Sequence, residues 1–272
     1  MNPMPTSGIA YLAPQSYEDA INRFSPEEKN RMYAEHRRQF PPPRPSATLW
    51  KYLDHYKFEH LLSSKDLFLC QVERLGIAEP NEGRMNELQE EALLKHCEDD
   101  HEQLENFRAF HTRIRQHSWV TCFSLGDFDD SYMWENYCRK SPNEGVAIET
   151  SGKMLRQCIA ALTLPPHAQV SIAMVRYKDS HYMPWNMEYL LFQKRSAFIR
   201  EHEVRLCVMS FEEEPKKSLP LRVDLSKLIR RIHIHPNASE EYRVRVDALV
   251  AKHLPSSFQR RVRFSRLWKD TV

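Results

Sequence analysis

Glu201, Glu203 and Arg205 stand at i, i+2 and i+4 in the stretch Glu201-His202-Glu203-Val204-Arg205. In an extended strand, residues two apart share a face, so this spacing aims two carboxylates and a guanidinium the same way. A strand that does so is either a solvated edge or one wall of a charged site. The same three residues can also form a cross-strand row of ion pairs, which is worth little at a surface. Lys194, Arg195 and Arg200 crowd the approach to this segment and favour a charged site.

Three more motifs precede it in order. They are Leu49-Trp50-Lys51-Tyr52, then Thr121-Cys122-Phe123-Ser124, then Ser131-Tyr132-Met133-Trp134 with Tyr137. Trp134 and Tyr137 lie at helical i, i+3 spacing and suit either an aromatic pocket wall or a core. Ser124 ends an apolar run, where a serine is either a site residue or a turn former. Lys51 either points into the site or snorkels from an edge strand. His233 with His235, and Cys97 with His101, are pairs without a third ligand at zinc spacing, so no metal is expected. G-x-G-x-x-G, G-K-S/T and G-x-S-x-G are all absent.

The elements that must position these residues are legible in outline. Ser25-Pro26-Glu27-Glu28 is a helix start, and the helix runs to about Phe40. Pro41-Pro42-Pro43-Arg44-Pro45 then ends it and reads as a stiff spacer. Residues 1–46 are thus expected to be a helical appendage outside an α+β core spanning 47–272. Within the core, strands are expected at 48–52, 67–72, 119–124, 145–150, 169–177, 203–211, 221–225 and 229–235. Helices are expected at 54–62, 86–116, 130–139, 153–162, 187–198 and 240–253. Strands and helices mix without strict alternation, which argues for a mixed or antiparallel sheet with flanking helices.

Composition narrows the class. The chain has 272 residues, 28% charged and 41% hydrophobic, with a formal net charge of +2. No apolar run approaches the roughly 18 residues of a membrane span, and no signal peptide is evident. Six scattered cysteines without C-x-x-C suit a reducing cytoplasm. Ten acids fall from Glu79 to Glu105, whereas the segment from Lys216 onward holds fourteen Lys and Arg against five acids. The basic third is either a set of solvated faces or a surface for an acidic partner such as nucleic acid.

The motif series resembles the bacterial domain-of-unknown-function family 2971. The resemblance is carried by Leu49 to Tyr52, Glu79 to Gly83, Val120 to Ser124, Ser131 to Trp134 with Tyr137, Gly145 to Ile148, Val175 to Asp179, and Lys194-Arg195 with Phe198, Glu201, Glu203 and Arg205. It covers about residues 48 to 268. The Glu79-Pro80-Asn81-Glu82-Gly83 loop departs from the family's Asp-Pro-Phe-Glu-Gly-like pattern. The motif order is also similar to that of ADP-ribosyltransferases. That likeness implies a split sheet and NAD as substrate, with Glu203 on the nicotinamide ribose and Glu201 taking a proton from the acceptor. It implies Lys51 or Tyr52 and Ser124 as further NAD-binding residues, Trp134 and Tyr137 as pocket walls, and Arg205 on a phosphate. The acceptor would be water, a protein or a nucleic acid, and the setting a bacterial defence or toxin system. The alternative is a non-catalytic module that holds a nucleotide or nucleic acid on the same fold. If the site is real, Ser124 and Lys51 or Tyr52 should share one cleft with Glu203. Glu203, as a strand-end carboxylate facing water, should matter little to folding.

Overall fold

The computed structural model describes residues 25–76, 79, 81–97, 100–138, 143–164, 168–178, 187–211 and 214–267. The first 24 residues therefore lie outside the described part. Helix α1 (Pro26–Gln39) opens as the sequence reads, with Ser25 and Glu28 bonding each other's backbone N–H at 3.2 and 2.8 Å. The proline run that follows is not a free spacer. Phe40 is 1% exposed and packs on Phe192 with ring centroids 5.9 Å apart. Pro41 accepts from the Met174 N–H at 3.0 Å, and Pro43 accepts from Arg156 at 2.9 Å. A proline offers only its carbonyl to the backbone network, and these two are spent on the core.

Strand β1 (Thr48–Asp54) leads into α2 (His55–Ser64), which Asp54 caps by accepting from the Lys57 N–H at 2.9 Å. Then come β2 (Asp66–Gln71) and a single turn α3 (Val72–Leu75). The long polar helix expected over 86–116 is two helices, α4 (Glu87–Cys97) and α5 (His101–Gln116). Asp100 starts the second one by capping the Gln103 N–H at 2.9 Å, a stop-and-restart that the periodicity hides. Strand β3 (Ser118–Leu125), helix α6 (Ser131–Tyr137), β4 (Gly145–Ser151) and α7 (Gly152–Ala160) follow. Next are β5 (Gln169–Met174), a short β6 (Arg176–Tyr177) and β7 (Gln193–Lys194). The helix expected over 187–198 is instead two 3₁₀ segments, Met187–Phe192 and Ser196–Glu201, flanking β7. The chain ends in β8 (Glu203–Met209), β9 (Ser218–Arg222), α8 (Leu225–Leu228), β10 (Arg231–Ile234), α9 (Glu240–His253) and β11 (Val262–Phe264).

The fold is α+β, with a mixed nine-stranded sheet and flanking helices. Only β10 and β11 run parallel within it; the other pairs are antiparallel. Strand β3 is the fork. Its whole length pairs with β8, while its other edge meets β2 at Val120 and β1 at Ser124. The two faces differ in kind. One carries Leu49, Leu53, Phe123, Val146, Ile148, Val204, Leu206 and Ile232 under α2, α7 and α9, and forms the main apolar core. The other carries a second apolar cluster under α4 and α5, an aromatic cluster under α6, and two groups of buried charge. No helix among the described residues is long and apolar enough to cross a membrane.

The docked linker makes a prediction. Phe40→Ala should cost roughly 3–5 kcal/mol, the usual range for emptying a buried phenylalanine site. Urea denaturation of the two proteins measures this directly. Wild-type stability in the variant would show that residues 40–46 are a spacer after all.

Candidate functional site

Arg205 organises the first group of buried charge. Its side chain is 0% exposed, so its charge has to be balanced by protein atoms. Nε donates to Glu203 Oε1 at 2.6 Å, Nη1 donates to the Leu191 carbonyl at 2.7 Å, and Nη2 donates to Glu82. Lys194 is the second cation. Its Nζ lies 2.7 Å from Glu201, 3.3 Å from Glu203, 3.7 Å from Glu82 and 3.8 Å from Glu79. Arg195 closes the rim on Glu79 at 3.3 Å. Four carboxylates therefore converge on one ammonium and one guanidinium.

Local backbone geometry makes the convergence. The strand begins at Glu203; Glu201 ends the preceding 3₁₀ turn. His202 between them has φ 43°, the left-handed region, and its carbonyl accepts from the Leu125 N–H at 2.8 Å. The kink brings Glu201 beside Glu203 even though the two are not alternate residues of one strand. Glu82 arrives on a turn in which Gly83 has φ +67°, and a Cβ there would meet Val72 at 2.6 Å. Only glycine meets both conditions without strain.

The environments separate the two central carboxylates. Burial pushes Glu203 up, but Arg205, its hydrogen bonds and Lys194 outweigh that and hold it at about 2. Burial raises Glu201, and Lys194 only partly opposes this while the charge on Glu203 adds to it. Glu79 is raised by burial and then by Glu82. Lys194 is held protonated above its ordinary value, because Glu203 and Glu82 overcome its own burial. The Tyr137 hydroxyl lies close to Glu201, and the Cys122 thiol close to Glu203. The Glu203 N–H donates to the Tyr177 hydroxyl at 2.7 Å. One carboxylate is thus fixed as an anion, and its neighbour is tuned towards holding a proton.

Of the residues singled out from sequence, Glu201, Glu203, Arg205 and Tyr137 meet here. Ser124 is in register with Glu203, but its hydroxyl donates to the Glu201 carbonyl at 2.8 Å and pins the kink. Tyr52 and Trp134 lie in the neighbouring aromatic cluster, edge to face with centroids 5.0 Å apart. The Tyr52 hydroxyl accepts from the Asp130 N–H at 2.8 Å, and the Trp134 indole donates to Asp129 at 3.1 Å. Lys51 stands on the opposite face of the sheet. Trp50 aligns with Ser124, so strand alternation turns Lys51 to the side of Leu49 and Leu53. There its ammonium donates to Thr121 Oγ1 at 2.6 Å, and burial lowers its pKa to about 8. Of the cleft expected to hold Ser124 and Lys51 or Tyr52 with Glu203, Lys51 is thus turned to the other face, while Tyr52 shares the Ser124 face but is engaged with Asp130 and Trp134.

Glu79, Glu82 and Lys194 were missed as site residues. The signal existed, since the 79–83 loop and Lys194-Arg195 both belong to the motif series. Among the described residues no group of three or more His, Cys, Asp or Glu is arranged to hold a metal ion. No protein-family model, curated protein or solved structure matches this chain.

Burial reverses the expectation that Glu203 matters little to folding. Its side chain is 3% exposed and compensates a fully buried guanidinium. Glu203→Gln should destabilise the protein at neutral pH by on the order of 3 kcal/mol. The sign follows from the depressed value: the contribution is present above the ordinary carboxylate pKa and disappears as pH falls through about 2. Thermal melts of the two proteins should therefore converge in acid, and a gap that stays constant with pH would contradict the assignment.

Proposed function

We propose that the chain is an ADP-ribosyltransferase-like enzyme that uses NAD. It would break the bond between nicotinamide and ribose and pass ADP-ribose to an acceptor or to water. The observation that carries this reading is the opposed tuning of Glu203 and Glu201 around Lys194, whose Nζ lies 3.3 and 2.7 Å from them. Two carboxylates held in different protonation regimes at one point suit a reaction that builds a cation and then moves a proton. The motif order, which resembles that of the bacterial family named above, and the forked sheet at β3 are the further support.

In this chemistry the glycosidic C–N bond breaks, and its electron pair leaves with neutral nicotinamide. Positive charge develops on the ribose carbon, where the permanently ionised Glu203 is the stabilising group. The acceptor oxygen then bonds to that carbon, and its proton passes to Glu201, whose raised pKa makes it a better base than an ordinary carboxylate. Lys194 now fills the place between the carboxylates, so the substrate's own cation would take over that charge-balancing position. Arg205 acts by holding Glu203 and Glu82. It does not grip a phosphate in this arrangement, because its donors are already engaged.

A second reading has an observation of its own. Lys194, Glu201, Glu203 and Arg205 are all less than 10% exposed at the side chain. A closed, fully compensated network of this kind can serve the fold alone, and the protein would then be a binding module for a nucleotide or nucleic acid.

Nicotinamide release from NAD separates the two. Glu203→Gln should lower the rate about 100-fold or more, judged at temperatures where the variant is folded. Glu201→Gln should impair transfer to an acceptor more than hydrolysis of NAD. Glu149→Gln, which breaks a buried ion cluster elsewhere, serves as the control and should retain activity. If wild-type protein releases no nicotinamide, or Glu203→Gln releases it equally, the enzymatic reading is wrong.

A further inference from the structure

The second group of buried charge lies towards the other edge of the same sheet face. Glu149 is in register with Trp50, and Trp50 with Ser124, which pairs with Glu203. Three strand spacings separate the two glutamates, or about 14 Å. Trp50, at 3% exposure, stands between them, with its indole donating to the Gly126 carbonyl at 2.7 Å. The two groups are therefore distinct.

Glu149 is a single buried carboxylate surrounded by cations. Its Oε2 accepts from His233 Nε2 at 2.8 Å and faces Arg263 at 3.4 Å; its Oε1 faces Arg231 at 3.0 Å and Arg230 at 3.4 Å. The glutamate side chain is 5% exposed, but the three arginines are 47%, 39% and 37% exposed. The carboxylate thus anchors guanidinia that spread into solvent. One carboxylate has about four lone-pair positions, whereas three guanidinia offer about fifteen N–H donors, so most donors are left for another acceptor. Arg263 Nε is buried without a partner in this structure. Burial and the nearby charge of Arg231 and Arg266 make Arg263 hold its proton less tightly, the mark of crowded like charge.

A fourth arginine and an aromatic ring extend the surface. Asp129 is 4% exposed and accepts from the Trp134 indole at 3.1 Å and from the Ser265 hydroxyl. Ser265 in turn bonds Ile234 of β10 through its N–H at 2.9 Å. This clasp sets the 126–130 loop beside the segment that follows β11. Its product is Arg266 lying over the Phe128 ring at 4.9 Å, with that ring 60% exposed. Four guanidinia thus gather near the buried carboxylates of Glu149 and Asp129, beside a flat aromatic surface open to water, with the exposed Asp127 and Asp130 in the same loop as the ring.

We propose that Arg230, Arg231, Arg263, Arg266 and Phe128 form a binding surface for single-stranded nucleic acid. Guanidinium forks hold successive phosphates, and the Phe128 ring with Arg266 receives a base. The ring selects among anionic partners. The carboxylates of an acidic peptide carry no planar ring of their own, a duplex sheathes its bases, and a single strand presents phosphates and bases in regular alternation. This surface does not depend on the NAD chemistry proposed for Glu203, and either assignment can stand without the other.

The test is fluorescence anisotropy with labelled oligothymidine and oligouridine of about 12 nucleotides, a length within the usual site size. Binding should be saturable, and log affinity should fall with log salt with a slope of about −3 for four neutralised phosphates. The double variant Arg230→Gln/Arg266→Gln should weaken binding at least about 10-fold and halve the slope. Phe128→Ala should weaken it on the order of 10-fold while leaving the slope unchanged, because stacking releases no counterions. All three altered side chains are solvent-exposed, so melting temperatures should hold. Arg222→Gln, on β9 at the far edge of the sheet, should bind as wild type does. Absence of saturable binding to both oligomers would overturn the proposal, and so would wild-type binding by the double variant or by Phe128→Ala. Equal, arginine-dependent capture by anionic phospholipid vesicles would overturn it in favour of a membrane surface.

Discussion

The fully buried charge of Arg205 is the constraint on which this face of the sheet depends. Moving a guanidinium out of water costs several kcal/mol unless carboxylates and carbonyls replace its hydration. Glu203 comes from the same strand, Glu82 from the 79–83 turn, and the Leu191 carbonyl from the 3₁₀ segment before β7. One side chain thus ties together three segments that are distant in sequence. Bringing Glu82 and Glu203 together then calls for a second cation, and Lys194 fills that role. Glu201 and Glu79 enter as further partners of Lys194, and the crowding of like charge separates the behaviour of Glu201 from that of Glu203.

The two faces of the sheet differ in what they bury. The apolar face, with α2, α7 and α9 against it, is the main hydrophobic core, and on that side the Lys51 ammonium meets Thr121 and the Phe123 ring. The polar face is divided by α6. Met133, Trp134 and Cys138 cover Trp50 and Tyr52, and this aromatic block keeps the Glu203 and Glu149 clusters apart. Asp130 caps α6 while Asp129, one residue earlier, clasps Ser265. A single loop thereby sets both the aromatic block and the exposed Phe128.

Elements with local causes could be read from the sequence. The caps at Ser25, Asp54 and Ser239 mark helix starts, and α9 occupies the expected range because Ser239 and its acidic first turn define it. Features with distant causes could not be read. Nothing local in the proline run reveals that its carbonyls are accepted by Met174 and Arg156. The i, i+2, i+4 spacing correctly paired Glu203 with Arg205 on one face. Glu201 joined them by another route, through the left-handed turn at His202. Strict alternation would have separated Lys51 from Tyr52, since adjacent strand residues cannot share a face. Glu79 and Glu82 stand more than one hundred residues from Glu203, and only the folded sheet brings them within reach of Lys194.

The central claim is that Lys194 and Arg205 hold Glu203 as a permanent anion while burial tunes Glu201 the other way. The direct measurement is a pH titration of the glutamate side-chain carboxyl carbons by NMR, with Glu201 and Glu203 assigned through their Gln variants. The account predicts that Glu203 stays ionised down to about 2 or until acid unfolding. It predicts that Glu201 takes its proton at a pH above the ordinary carboxylate range. Two carboxyls titrating together at ordinary values would contradict it.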